Sequence, residues 1–189
     1  MTPQRSDSTE YAFGEIRGGP EDSAIRAPKS LVNTTDPAGL RRAFAAHPSG
    51  VTAVGAMCDG TPTGMTVATF VPVSLQPALV SICIGMTSST WPRLRTAGRL
   101  GLSTLSDAQE RECKQLSAKE TDRFAAVSYQ VTPAGAILLH NASAWIECSI
   151  EDELKAGDHF VVLLRVEAIA FDSRSTPLVF HASKLQPLR

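Results

Sequence analysis

Three short segments carry residues whose types and order could do chemistry. In Gly64-Met65-Thr66-Val67-Ala68-Thr69-Phe70, small, hydroxylated and apolar side chains alternate. Backbone amides and the Thr66 and Thr69 hydroxyls there can meet the polar edge of a planar ring while Val67, beside Ala68, covers its face. The second segment, Ser88-Ser89-Thr90-Trp91-Pro92, sets three hydroxyl donors where a helix begins; free amides and the positive end of the helix dipole favour an anion there. Gly85 just before it lets backbone approach closely. The third, Gly157-Asp158-His159, supplies an imidazole that can hydrogen-bond a polar ligand or hold charge beside an anionic one.

Each residue also has a plain structural reading. Threonine is common on half-buried strands, Ser88 can be an ordinary helix cap, and His159 can bond locally to Asp158. Phe124, in the Asp122-Arg123-Phe124-Ala125 segment, serves equally as a ligand contact or a plug for the end of a barrel. No catalytic triad is visible. His47, His140 and His181 have no metal-ligand spacing, so no metal is expected. Glu147, Glu151, Asp152 and Glu153 read as solvent-facing carboxylates along a strand.

Composition narrows the partners. The 189 residues suit one domain with a full core. A formal net charge of −1, with Lys and Arg scattered, argues against a nucleic-acid partner. The longest apolar run, near residues 78–84, is far short of the ~20 residues of a membrane span, and the N-terminus lacks the apolar core of a secretory signal. A cytoplasmic protein that does not enter membranes is the expectation. Cys58, Cys83, Cys113 and Cys148 form no C-x-x-C pair and read as small buried hydrophobes.

The elements that must position these groups follow from pattern. Residues 1–35, rich in Ser, Thr, Pro, Gly and charge, read as a flexible arm, and residues 36–189 as the domain. Asp36-Pro37 starts a short amphipathic helix, with Leu40, Ala43, Phe44 and His47 on one face, ending near Pro48-Ser49-Gly50. Residues 51–57 and 63–70 form a hairpin through Asp59-Gly60. Residues 78–84 read as a strand buried on both faces, followed by a short helix through Trp91 and a strand at 99–105. Ser106 and Gln109 make a capping box for a helix running to about Lys119. Two long strands, 142–153 and 159–171, and a short one at 178–181 complete the pattern. Hairpin-length connections and three modest helices predict a mainly β fold with an antiparallel barrel.

Taken in order, these motifs resemble the flavin reductase family built on the FMN-binding split barrel. The resemblance runs from about Leu40 to His181 and rests on Phe44, Pro48-Ser49-Gly50-Val51-Thr52, the three segments above, Val73-Ser74-Leu75, Asp122-Arg123-Phe124-Ala125 and Trp145-Ile146-Glu147-Cys148. It implies an antiparallel split barrel and an NAD(P)H:flavin oxidoreductase that supplies reduced FMN or FAD to a separate monooxygenase component. NADH or NADPH would be the co-substrate. It further implies a homodimer with the flavin in a groove near the subunit interface. Thr66, Val67, Ala68 and Thr69 would line the isoalloxazine and ribityl chain, Ser88, Ser89 and Thr90 would meet the phosphate, Phe124 would lie near the flavin, and His159, as the catalytic residue, beside the nicotinamide. Two departures stand out. Gly85-Met86-Thr87 replaces the charged pair that often follows this strand, so a charged partner for the phosphate must come from elsewhere or be absent. Phe180-His181-Ala182-Ser183-Lys184-Leu185 keeps the histidine of Tyr-His-x-Gly-x-Tyr but loses its glycine and last tyrosine. A flavin-retaining oxidase or oxygenase, or a non-catalytic flavin-binding interaction module, are the alternatives.

Overall fold

The computed structural model describes residues 10–12, 30–32, 36–119 and 121–188. The chain divides into two units, residues 1–46 and 47–189. In the first, β1 (Glu10–Ala12) pairs antiparallel with β2 (Ser30–Val32); the rest of the expected arm lies outside the described residues. α1 (Pro37–Phe44) begins as its sequence requires, with Asp36 carboxylate oxygens accepting from the amides of Ala38 (3.0 Å) and Gly39 (2.8 Å). Those bonds hold the Asp36 carboxyl below its ordinary value. α1 stops at Phe44, short of the expected end, and buries none of its residues.

In the second unit, β3 (Ser49–Gly50), β4 (Thr52–Cys58), β5 (Thr61–Val67), β6 (Val71–Leu75) and β7 (Ala78–Gly85) are followed by the single-turn helix α2 (Trp91–Leu94) and β8 (Leu100–Thr104). A 3-10 turn (Asp107–Gln109) leads into α3 (Glu110–Ser117). Then come β9 (Tyr129–Val131), β10 (Ile137–Leu139), the long pair β11 (Ala144–Ala156) and β12 (His159–Phe171), β13 (Leu178–His181) and β14 (Lys184–Pro187). Seven strands make the main antiparallel sheet, in the order β5-β4-β8-β11-β12-β7-β6. β14-β13-β3 and β10-β9 form smaller sheets. The fold is mainly β and antiparallel, as the residue pattern predicted, and is the split barrel that the resemblance implies.

Local chemistry explains most of these elements. Asp59 and Gly60 both take positive φ (50° and 74°), the geometry a two-residue hairpin needs. Gln109 turns back to accept from the Ser106 amide at 3.0 Å and donates to the His140 carbonyl at 2.9 Å. β7 corrects one expectation. Val80, Ile82 and Ile84 are buried, but Ser81 and Cys83 between them are only half-buried. The continuous apolar run concealed a one-sided strand, because an antiparallel sheet needs only one covered face.

Two hydrophobic clusters form the interior. One gathers Val54, Ile82, Ile84, Trp91, Leu94, Leu102 and Leu164 inside the main sheet. The other joins Val51, Ala53, Leu105, Leu116, Phe124, Ile137 and Leu178, so it ties α3 and the loop after it to the outside of β4. β10 crosses so near β8 that a Cβ on Gly101 would overlap the Ile137 backbone. Cys58, Cys113 and Cys148 are buried, Cys83 is half-buried, and all four are free thiols. Burial, followed by Glu167 and Glu147, pushes the Cys148 thiol up to about 12. Among the described residues no helix is long and apolar enough to cross a membrane.

Candidate functional site

A cleft of about 410 Å³ opens at the start of β5, a volume within the range of small-ligand sites. Thr61, Pro62, Thr63 and Gly64 form one wall, Ser89, Thr90 and Arg93 the second, and Thr121, Asp122, Arg123 and Phe124 the third. The third wall is folded by its own side chains. Asp122 Oδ1 accepts from the Phe124 amide at 2.9 Å, the local turn aspartate favours. Arg123 donates from Nε to the Ala118 carbonyl (2.7 Å), and from Nη1 to the Gly64 carbonyl (3.0 Å) and Thr90 Oγ1 (2.7 Å). One guanidinium thus clasps all three walls. Phe124 is buried and meets Tyr129 edge-on, with ring centroids 5.2 Å apart. Gly64 makes this possible, since a Cβ there would lie 2.8 Å from both Phe124 Cζ and the Val54 carbonyl.

Of the residues singled out in the sequence, Ser89, Thr90 and Phe124 line this cleft. The others run along an adjoining seam. Ser88 Oγ accepts from the Trp91 amide at 3.2 Å and sits 3.9 Å from Met65 Sδ, while its amide donates to the Gly85 carbonyl. Ser88 therefore caps α2, as its plain reading has it, although Thr90 occupies the terminal position. In line with the β6–β7 ladder, Thr69 reaches Cys83: Oγ1 accepts from the Cys83 amide (2.8 Å) and donates to its carbonyl (3.2 Å). This side chain stands in for a backbone rung near the two ends of the main sheet. Thr66 Oγ1 lies 2.6 Å from Ser117 Oγ, which donates to the Cys113 carbonyl at 2.7 Å. The Ser117 proton being placed, Thr66 is the donor of that pair, and its free lone pairs can only accept. Val67 points into the main core and Ala68 is half-buried, so what Val67 offers outward is backbone.

His159 pairs with Gly85 across the β12–β7 ladder, and its Nε2 lies 3.7 Å from where a Gly85 Cβ would be. Its Nδ1 lies 2.7 Å from Asp158 Oδ1, the local bond of the plain reading, and the ring is half-exposed. The seam and the cleft share the 85–90 loop, so His159 adjoins the site without lining the cleft.

The structure adds residues that sequence reasoning does not assign. Arg123 stands in one of the sequence motifs without a role of its own, and Arg93 reads only as a helix residue. Nothing local marks either as a cleft residue, because both reach it through tertiary packing. α2 is a single turn, so its dipole contributes little. Glu153 and Glu147 also differ from the expected solvent-facing row, with side chains only 14% and 17% exposed. Glu153 accepts from Trp91 Nε1 and pairs with Arg95, so its carboxylate is turned onto α2 and the residue that ends it.

Residues 44–189 match the family model described as "Flavin reductase like domain". The chain belongs to this family. A flavin reductase of Pseudomonas putida is 35% identical over 147 residues, covering 77% of this chain and 86% of that relative. The reductase subunit HsaB of a flavin-dependent monooxygenase from Rhodococcus jostii (strain RHA1) is 30% identical over 89% of this chain and 83% of its own length. The chain spans only 43% and 58% of two longer relatives from Rhizobium meliloti (strain 1021). A solved structure of the Streptomyces globisporus C-1027 NADH:FAD oxidoreductase SgcE6, in complex with NAD and FAD fragments, superposes with a TM-score of 0.79 at 31% identity. It covers 84% of this chain and 96% of that one. The geometry here fits such a group. Seam and cleft adjoin, hydroxyls of Ser89 and Thr90 open on a polar pocket, and the apolar Phe124 and the Cβ-free Gly64 form part of its wall.

Proposed function

We propose that the protein is an NAD(P)H:flavin oxidoreductase acting on FMN or FAD, and that it hands reduced flavin to a separate oxygenase component. The observation that carries this is the meeting of Ser89, Thr90 and Phe124 at one cleft beside Gly64 and Ser88, within a flavin reductase-like barrel. When bound, flavin accepts hydride from the nicotinamide. The protein needs to stack and orient the two rings at roughly 3–3.5 Å, with little acid–base help. Thr66, as an acceptor, orients a ring N–H. Gly85 leaves the space into which His159 extends, and His159, steadied by Asp158, faces the incoming nicotinamide or the negative charge of the reduced ring.

A homodimer is part of this reading. Its support is the exposed apolar row Val71, Val73 and Leu75 on β6, together with Leu154, Ile169 and Phe171 on the long strand pair. The domain is taken as residues 36–189, with residues 1–35 as an arm and the cytoplasm as compartment. The test is anaerobic: purified protein with NADH or NADPH and added riboflavin, FMN or FAD, following nicotinamide absorbance. Turnover above the uncatalysed rate is expected. Its absence with every pairing removes the reductase reading, and tightly retained flavin with weak nicotinamide response would favour the oxidase alternative.

A further inference from the structure

Glu153 puts a carboxylate on the covered face of β11, where the residues before it are apolar. We infer that Glu153 is a positioning residue for nucleotide-dependent reduction: through Trp91 and Arg95 it fixes the β11–β12 hairpin tip, and with it His159, against the loop that carries Ser89 and Thr90. This rests on the reductase reading above.

The way Glu153 comes to face inward is specific. Cys148 and Ile150 both pack on the main core, opposite Val166 and Leu164, so strict alternation would next bring Asp152 to that face. Instead Glu151 is an extra residue, because Ile150 pairs with Leu164 and Asp152 with Leu163. Such a bulge re-aims the side chains that follow it. Glu153 therefore lands opposite the buried Val162, and beside the irregularity its amide donates to Asp152 Oδ1 at 2.8 Å. Both carboxylate oxygens are taken: Oε1 accepts from Trp91 Nε1 at 2.6 Å and Oε2 from Arg95 Nη2. Trp91 begins α2 and Arg95 ends it, so one side chain grips both ends of the turn that follows Ser89 and Thr90. An apolar residue would fill this position without the cost of drawing a carboxylate out of water. Core packing alone does not explain it.

What Glu153 holds is a tip with no interior of its own, since residues 154–159 are all exposed. Beyond Glu153 the tip meets the barrel at the 85–90 loop, where His159 pairs with Gly85 and the Met86 amide donates to the Asp158 carbonyl at 2.9 Å. Tip and loop thus touch at two places, Asp158 and His159 on Gly85 and Met86, and Glu153 on α2. Two attachments fix an angle that one leaves free. In the reductase reading His159 serves the nicotinamide and Ser89 and Thr90 the flavin, so this angle sets how the two rings meet. A displacement of about 1 Å there can cost about a hundredfold in rate.

The experiment measures anaerobic stopped-flow reduction of FMN by NADH or NADPH, FMN affinity by fluorescence titration, and amide exchange of residues 154–159, all on the full chain. Glu153→Leu should slow reduction about tenfold, with FMN affinity within about twofold and tip exchange about tenfold faster. Glu153→Gln keeps an oxygen for Trp91 Nε1 and should restore most of the rate. In the His159→Ala background, Glu153→Leu should cost less than about twofold more, because both changes act through one imidazole. A further loss of about tenfold there, an unchanged rate in Glu153→Leu, or an equal loss of FMN affinity overturns the assignment. Where Glu153→Leu does not fold, Arg95→Gln on an exposed side chain decides: reduction about threefold slower with FMN affinity unchanged supports it, and an unchanged rate overturns it. Wild type that reduces no flavin with either nucleotide removes the reductase reading instead. Faster tip exchange in Glu153→Leu would then leave the anchoring intact, and unchanged exchange would overturn that too.

Discussion

The seam and the cleft lie side by side but use their polar groups in opposite ways. Along the seam, Thr69 is bonded to the Cys83 backbone, Thr66 to Ser117, Ser88 to the Trp91 amide and His159 to Asp158. In the cleft, Arg93 and Arg123 stand without carboxylate partners among the described residues. Groups already bonded add little affinity for a ligand but hold a surface in one shape. Unpaired donors in a recess do the reverse. In the proposed function the seam therefore serves as a preformed surface for a ring, whereas the cleft keeps donors free for a ligand.

The sharpest way to break this contrast is Gly64→Ala. Its Cβ would meet Phe124 and the immovable Val54 carbonyl, so we expect about 1–3 kcal/mol of destabilisation by denaturant unfolding, with loss of flavin binding as the Phe124 wall shifts. An unchanged midpoint would show that the third wall is loose. His159→Ala tests the seam's open end. It should lower nucleotide-dependent reduction about tenfold, more than it weakens flavin binding, in stopped-flow and titration measurements. Equal effects on both would make His159 structural.

Thr69→Val keeps the shape and deletes both bonds to Cys83, leaving that rung unmade. A loss of about 1 kcal/mol in stability is expected, with flavin affinity falling only in proportion. A large, selective loss of flavin affinity would mean that Thr69 contacts ligand directly. Ser183→Gly is the gentlest change. Ser183 has φ 62° in the β13–β14 turn, where the family pattern has glycine, and relief of that conformation should add about 1 kcal/mol of stability without altering turnover.

Cys148 gives a control away from both regions. Folding favours its neutral thiol, so its contribution is complete below an ordinary thiol pKa near 9 and is lost as pH rises towards about 12. Unfolding midpoints at pH 8 and pH 10.5 should differ less in Cys148→Ala than in wild type, with flavin selectivity untouched.

Much of this is legible in the residues alone. Asp36-Pro37, Asp59-Gly60 and Ser106 with Gln109 each specify a local geometry through their own bonds, and each stands where predicted. β13 matches its predicted bounds, and the long strands of the hairpin turn at Gly157 as expected. β1, β2, β3, β6, β9, β10 and β14 are not among the predicted strands. They are short, and β10 is placed by its fit against Gly55 and Gly101 rather than by alternation. The false two-sided burial of β7 has a related cause, since an apolar run does not say which face another layer will cover.

The sequence by itself determined the turns, the caps, the barrel class and the order of the site motifs, because these depend on neighbours a few residues away. It also named Ser89, Thr90 and Phe124, which do meet at one cleft. Only the tertiary structure decided that Thr69 closes a rung with Cys83, that Thr66 is oriented by Ser117, and that Arg93 and Arg123 converge on the same recess. Those facts depend on residues 14, 51 and 30 positions apart in the chain. A side chain's free donors are known only once its distant neighbours have taken theirs.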